Sequence, residues 1–377
     1  MRIGILCYPS IGGSGLVATE LGISLARRGH EVHFISYATP FKLPQFERNI
    51  HFHSVDPINY PLFNQTLYTF SLTAKIVEVV NEHKLEIVHA HYSIPHSLCA
   101  HLAREITGAD FRIVTTLHGT DVTLVGQDKP LFPINKYGIE KSDLVTTVSN
   151  FQREHTLRNF GIANDIQVIY NFIDPDVFKP CEQIRGRRDC LSKPGQKVVM
   201  HISNFRQPKN PIGACRAFAI AAKQVDAKLV LIGDGPEITE LKQICKELGI
   251  CERIQHLGKM DNVETILPAA DVVLQPSYLE SFGMVLLEAM SCGVVPVASD
   301  IDGIPEVVLH GETGLLAHPD DHEALAAHLV TLLTDDPLRA RMAAAGRDRA
   351  IHTFHRDLII PQYEAAYETL LALSPVG

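Results

Sequence analysis

The chain has 377 residues, 46% hydrophobic and 20% charged, with a formal net charge of −9 at neutral pH. This is long enough for two domains with cores of their own, and the composition is that of a globular enzyme rather than a disordered segment. The acidic balance, with no Lys/Arg block or basic helix, argues against nucleic acid as a partner, and the lack of eighteen consecutive apolar residues argues against a membrane span.

The first ten residues, MRIGILCYPS, predict a strand over 2–8 rather than a signal peptide. A glycine-rich turn over 9–15 follows, then a helix to about residue 28 closed by Gly29. A glycine-rich turn between strand and helix suits an anion. Its spacing does not fit Gly-x-Gly-x-x-Gly, and the next strand, 31–37, ends without an acidic residue for a ribose, so nicotinamide chemistry is disfavoured. The pattern continues as strand (51–55), helix (65–83), strand (86–91), helix (95–107) and strand (112–117), with further units to 173. Such alternation implies a mostly parallel sheet covered on both faces, with ligands at the carboxyl ends of the strands.

Those ends carry the polar residues of the first half: Ser14 and Gly15, His91 and Tyr92, Thr116 and His118, and Ser149 to Arg153. His89 and His91 share a strand face, but no third metal ligand is placed by spacing. Ser149-Asn-Phe-Gln152 has capping-box form, which puts Asn150 and Arg153 in the first turn of a helix, where an anion is favoured.

Residues 174–196, rich in proline, glycine and basic residues, read as a linker, with Asp174-Pro-Asp176 as a turn rather than a metal motif. A second alternating series starts at Lys197 with strand 198–203, helix 211–224, strand 227–233, helix 237–248, strand 253–258 and helix 263–270. The first strand ends in Ser203-Asn-Phe-Arg206-Gln-Pro-Lys209, two cations on one loop that can straddle a diphosphate. A buried strand (271–277), a turn (278–281), a helix (282–292) stopped by Gly293 and a strand (294–299) come next. That helix is apolar nearly all round yet carries Glu288, with Glu280 just before its first turn. Alone, Glu288 could lie on a solvated stripe with Met284 and Ser291. Buried, it needs donors such as sugar hydroxyls, because a carboxylate without partners is costly to desolvate. Gly283 lets the helix's free N–H groups approach a pyrophosphate. Helices over 321–333, 337–352 and 361–373 end the chain.

Glu280 and Glu288 with Ser-Phe-Gly between them, Gly-Val-Val-Pro-Val over 293–297, Gly303-Ile-Pro-Glu306 and Gly311-Glu-Thr-Gly314 together resemble the donor site of the retaining family-4 glycosyltransferases. The resemblance implies an α/β protein of two Rossmann-like, doubly wound parallel-sheet domains facing across a cleft, the GT-B glycosyltransferase fold. Residues 1–173 would bind the acceptor and 197–356 the nucleotide sugar, with a final helix over about 357–377 packing back on the first domain. It further implies donor contacts from Gly15, Arg206, Lys209, Glu280, Ser281, Phe282, Gly283 and Glu288, with Arg206 and Lys209 in place of a metal and no cofactor.

The segments CYPSIGGSG, VHAHYSIPHS, TTLHGTD, TTVSNF, VIYNFID and HISNFR resemble, within that family, the enzymes of bacillithiol biosynthesis that move N-acetylglucosamine from UDP-N-acetylglucosamine to L-malate. By position this implies malate contacts from Ser14, Tyr92, Thr116, Asn150 and Arg153, with His118 beside the donor sugar and His118, Arg206, Lys209 and Glu280 serving catalysis. Pro208 and Asn210, on either side of Lys209, depart from the relatives' usual residues. A same-fold transferase with another small acceptor such as inositol, a UDP-sugar epimerase and a non-catalytic nucleotide sensor remain open. The eight cysteines, without Cys-x-x-Cys and mostly in apolar segments, read as reduced core residues of a cytoplasmic protein. A homo-oligomer is compatible with the sequence.

Overall fold

Apolar runs too short for helices become parallel strands in two separate sheets. The computed structural model describes every residue except 11, 57–66, 124, 125, 127, 182–184 and 374–377. The chain divides into two compact units, Met1–Asn171 with Asp357–Gly377, and Phe172–Arg356.

In the first unit the strands are β1 (Arg2–Leu6), β2 (Glu31–Ser36), β3 (Ile50–Ser54), β4 (Ile87–His91), β5 (Arg112–Leu117), β6 (Leu144–Thr147) and β7 (Ile166–Val168). They pair in the order β3-β2-β1-β4-β5-β6-β7, and every pairing is parallel. The order reverses between β1 and β4, and at such a switch point an open α/β sheet leaves a crevice for ligand. One face is packed by the helices Tyr68–His83 and Leu98–Thr107 through Leu72, Ile76, Val79, Ala100 and Ala103, all buried. The helix predicted over 65–83 begins at Tyr68; residues 65 and 66 lie outside the described residues. The chain's last helix, Arg356–Ala372, starts earlier than predicted, carries Pro361 within it, and buries Ile359, Ile360, Tyr363, Tyr367 and Leu370. Tyr363 and Tyr367 sit against His89 of β4, and the Tyr367 hydroxyl is 2.7 Å from His89 Nδ1.

In the second unit β8 (Lys197–Ile202), β9 (Ala227–Ile232), β10 (Ile254–Gly258), β11 (Val272–Gln275), β12 (Val295–Ser299) and β13 (Leu315–Ala317) pair in the order β10-β9-β8-β11-β12-β13. Here the switch point lies between β8 and β11, again with all strands parallel.

Several sequence expectations need correction. The segment read as a linker carries a helix, Arg185–Leu191, and Arg188 donates to Asp271 at 2.5 Å, which ties this stretch to the foot of β11. The helix expected over 263–270 is two 3₁₀ turns, Val263–Thr265 and Leu267–Ala269, because Pro268 lacks the N–H that a continuing helix needs. The helix expected over 282–292 is Met284–Ser291, since Gly283 at φ 100° cannot be part of it. All eight cysteines are free, but Cys190 and Cys251 are exposed rather than in the core, one on the short helix and one on a 3₁₀ turn.

Candidate active site

The polar residues of the first unit lie along one rim, because β1, β4, β5 and β6 are parallel neighbours and each delivers its following loop to the same side. After β1, the helix Ser14–Arg27 starts so close to the turn that a Cβ on Gly15 would sit 2.4 Å from the Tyr8 carbonyl. Only glycine fits there. Next to it, the Ser14 hydroxyl donates to the Tyr92 phenol at 2.6 Å. Tyr92 leaves β4 at φ 87°, an unusual conformation for a bulky residue, which swings its ring toward His118 with centroids 5.3 Å apart.

His118, after β5, stacks on His91 at 5.1 Å, and its Nε2 is 2.9 Å from His91 Nδ1. Burial first and His96 second push the His118 imidazole down to about 3, so the ring is neutral at physiological pH and acts as a hydrogen-bonding rather than a charged group. Asp121 organises this turn: its carboxylate accepts the N–H groups of Gly119 at 3.0 Å, His118 at 3.2 Å and Ser93 at 3.4 Å. Burial nonetheless raises Asp121 to about 6.

Thr116 is placed differently from its expected role as a malate contact. Its side chain is fully buried in the sheet, with Oγ1 2.6 Å from both His89 Nε2 and Thr146 Oγ1. Its carbonyl accepts the Tyr92 N–H at 3.0 Å. Thr116 therefore supports Tyr92 and His89 from beneath. It has no free hydroxyl to offer.

After β6, Ser149 caps the helix Asn150–Phe160 by accepting the Gln152 N–H at 3.2 Å. Only this half of the expected capping box forms, because the Gln152 amide is buried without a hydrogen-bond partner. Asn150 donates to the Tyr170 hydroxyl at 2.8 Å. Arg153, one turn in, has its Nε buried with no hydrogen-bond partner. A guanidinium N–H desolvated in this way costs about 1–3 kcal/mol until an acceptor arrives.

In the second unit the sites cluster across the β8/β11 switch point. His201, at the end of β8, is held by the Leu274 carbonyl and the Ser203 hydroxyl, each 2.9 Å away, and Ser203 in turn accepts the Phe205 N–H at 3.2 Å. This fixes the loop that presents Arg206, whose side chain is exposed and makes no hydrogen bond or ion pair among the described residues. The loop is pressed against the turn after β9, where a Cβ on Gly233 would lie 1.8 Å from the Ser203 carbonyl. Lys209 donates to Glu280 at 2.5 Å. The two loops are joined further by the Tyr278 N–H to the Pro208 carbonyl at 2.8 Å and by Asn210 to the Pro276 carbonyl at 2.9 Å.

Glu280 is anchored on its far side as well: its N–H donates to Asp302 at 3.1 Å, and its carbonyl accepts the Gly303 N–H at 3.1 Å. Gly303 has to be glycine, because a Cβ would meet the Ser281 carbonyl at 2.1 Å. Gly283 then starts the helix Met284–Ser291 with no side-chain cap, leaving first-turn N–H groups for an anion. The Phe282 ring is turned into the core against Phe354, centroids 5.5 Å apart, so a donor contact from this residue falls to its backbone. Glu288 is 8% exposed, and the solvated-stripe alternative does not hold: Ser291 is fully buried and donates to the Phe178 carbonyl at 2.6 Å.

The motifs singled out as metal candidates are engaged elsewhere. Asp174 pairs with Arg356 and accepts the Asp176 N–H, and both nitrogens of His89 are taken by Tyr367 and Thr116. The supporting residues Asp121, Asp302 and His201 escaped the sequence reading. Asp121 lies within the quoted TTLHGTD and His201 opens the quoted HISNFR, and Asp302-Gly303 is a turn dipeptide.

The chain matches two family models, Glycosyltransferase Family 4 over residues 11–177 and Glycosyl transferases group 1 over residues 183–349. It is 43% identical to the N-acetyl-alpha-D-glucosaminyl L-malate synthase of Bacillus anthracis over 98% of this chain and 97% of that one. The chain belongs to the family-4 glycosyltransferases. This glycosyltransferase is also 28% identical to the D-inositol 3-phosphate glycosyltransferase of a Mycobacterium species, over 88% of its length and 80% of the relative's. Its fold is that of the Anabaena protein HepE solved with UDP-glucose, with TM-score 0.85 and 24% identity over 98% of this chain and all of that one. The GT-B assignment thus rests on two parallel α/β sheets and on structural neighbours of the same architecture. Among the described residues no helix is long and apolar enough to cross a membrane.

Proposed function

We propose that this glycosyltransferase moves N-acetylglucosamine from UDP-N-acetylglucosamine to the hydroxyl of L-malate, with retention of anomeric configuration and without a metal, in the cytoplasm as the opening step of bacillithiol biosynthesis. The observation that carries the reading is 43% identity across nearly the whole chain to an enzyme whose name states both sugar and acceptor. The geometry supports it, because malate is a small dianion. It calls for a forked cation, helix N-termini and hydroxyl donors, and the first unit offers Arg153, the helices starting at Ser14 and Asn150, and the Ser14–Tyr92 pair.

In this account Arg153 and Asn150 hold a malate carboxylate while the Tyr92 hydroxyl, oriented by the proton it accepts from Ser14, donates to the rest of the acid. Glu280 and Glu288 take the hydroxyls of hexose and ribose. Gly15 lets the helix behind it approach the donor, and neutral His118 bonds the sugar. The malate oxygen attacks the anomeric carbon on the face the diphosphate leaves, and a donor phosphate oxygen takes its proton, so no side-chain base is required. Arg206, Lys209 and the uncapped helix at Gly283 stabilise the charge that grows on the leaving diphosphate.

A second acceptor class is favoured by one observation, the similarity to an inositol phosphate glycosyltransferase, whose acceptor is also a small hydroxylated anion. NMR of the product formed from UDP-N-acetylglucosamine and L-malate tests the proposal. An α-linked N-acetylglucosaminyl malate is expected. A β-linked product would reject retention, and unchanged malate beside an epimerised donor would reject transfer altogether.

A further inference from the structure

Away from the rim, on the β2–β3 edge of the first sheet, four histidines and a glutamate converge from three elements. Parallel pairing sets His33 opposite His51 and Ile35 opposite His53, so His33, His51 and His53 share one face. The helix Tyr68–His83 lays His83 over it, and the His33 and His83 rings come within 4.4 Å. His33, His53 and His83 each bring one ligand nitrogen to within 4.8 Å of the others, and His33 Nδ1 is 3.0 Å from His53 Nε2. Ligand atoms around a tetrahedral zinc stand roughly 3.3 Å apart, as its Zn–N distances require. On its other side the His33 Nε2 is buried and lies 3.3 Å from Glu31 Oε1, without the alignment of a hydrogen bond.

We propose that His33 Nδ1, His53 and His83 bind a divalent transition-metal ion of the zinc class, with Glu31 holding the His33 Nε2–H as its outer partner. Imidazole sets suit zinc, copper and nickel, and a ligating histidine usually gives its other N–H to a carboxylate. The first unit's rim residues follow β1, β4, β5 and β6, away from the β2–β3 edge, so the ion is a clasp joining the edge strand β3 to the helix that covers it.

The ionisation of the cluster agrees with this. Burial and the neighbouring imidazoles push His33 down to about 3 and His53 to about 4, so both are neutral and ready to ligate at pH 7. The other charged groups around the cluster are His51, Lys75, which is paired with Glu78 at 2.8 Å, and Glu82 near His83. Acidic partners thus offset the added charge.

The full-length protein is stripped with a chelator and titrated with Zn²⁺ against a chromophoric competitor, with Co²⁺ absorption as a report of tetrahedral coordination. About one equivalent per chain is expected, with a rise in Tm. Replacing buried His33 can unfold the unit, so the test uses half-buried positions. His53→Gln and His83→Gln should each abolish the tetrahedral Co²⁺ spectrum, and Glu31→Gln should weaken binding by about 10–100-fold. No saturable binding, or binding that survives both histidine changes in folded protein, overturns the proposal. Loss confined to His51→Gln would instead assign the ion to Glu31, His33 and His51, the other convergent set.

Discussion

Lys209 and Glu280 share a hydrogen bond of 2.5 Å across the β8/β11 switch point, with their side chains 30% and 21% exposed. A half-buried ion pair that still meets solvent contributes only modestly to stability, so its worth lies in holding the ammonium in place. In the proposed reaction that ammonium meets the leaving diphosphate. Lys209→Ala should then lower kcat by about 10²–10³-fold with a smaller change in the donor KM, as loss of a group acting on transition-state charge does. Steady-state kinetics check this, and an unchanged kcat would remove Lys209 from catalysis.

Glu288 is nearly buried in an apolar helix, and its proposed partners are ribose hydroxyls. Hydrogen bonds to a charged group contribute about 1.5–3 kcal/mol, so Glu288→Ala should raise the KM for UDP-N-acetylglucosamine roughly ten- to a hundred-fold. The KM for malate should move less. An unchanged donor constant in a folded variant would contradict the assignment.

Arg153 has a desolvated Nε waiting for an acceptor. Removing it would leave a bound carboxylate unpaired at a cost of about 2–5 kcal/mol, a loss of roughly thirty-fold to a few thousand-fold in kcat/KM for malate. Donor binding and slow donor hydrolysis should persist. Arg153→Lys should recover little, because an ammonium cannot make two parallel bonds to a carboxylate. Equal losses in malate transfer and donor hydrolysis would place Arg153 elsewhere.

Because Arg206 and Lys209 are proposed to do a metal's electrostatic work, excess EDTA should leave the initial rate unchanged. Any ion bound by the His33 cluster would show instead as a lower Tm. Loss of turnover rescued by Mg²⁺ or Mn²⁺ would contradict the metal-free mechanism.

The buried imidazoles of His89, His96 and His118 sit at about 3 to 4, chiefly through burial. With folded values below the unfolded 6.5, each must take up a proton on unfolding at acid pH. Stability is therefore present above 6.5 and lost as pH falls toward 3, by about 1.4 kcal/mol per pH unit for each ring. Asp121, raised to about 6, works in the opposite sense between about 4 and 6, but one carboxyl does not offset three imidazoles. Denaturant midpoints should drop steeply from pH 7 to pH 5, and a flat profile would contradict the buried neutral histidines.

The sheets were legible because the apolar runs of β1, β4, β8 and β11 are too short and too β-branched for helices, and the Gly-rich turns mark where each helix starts. Side-chain direction was harder to read. Phe282 and Thr116 sit inside motifs of the site, yet tertiary packing turns one ring against Phe354 and the other hydroxyl toward His89. Asp121 works through three backbone N–H groups that only the folded turn brings together. The histidine cluster was invisible for the same reason, since strand register and a covering helix assemble positions 31 to 83.

UDP release from UDP-N-acetylglucosamine, measured with L-malate, inositol, inositol phosphate and no acceptor in parallel, tests the central claim most directly. The account predicts fast release with L-malate and only slow hydrolysis in the other three. Release driven equally by an inositol compound, or independent of any acceptor, would contradict it.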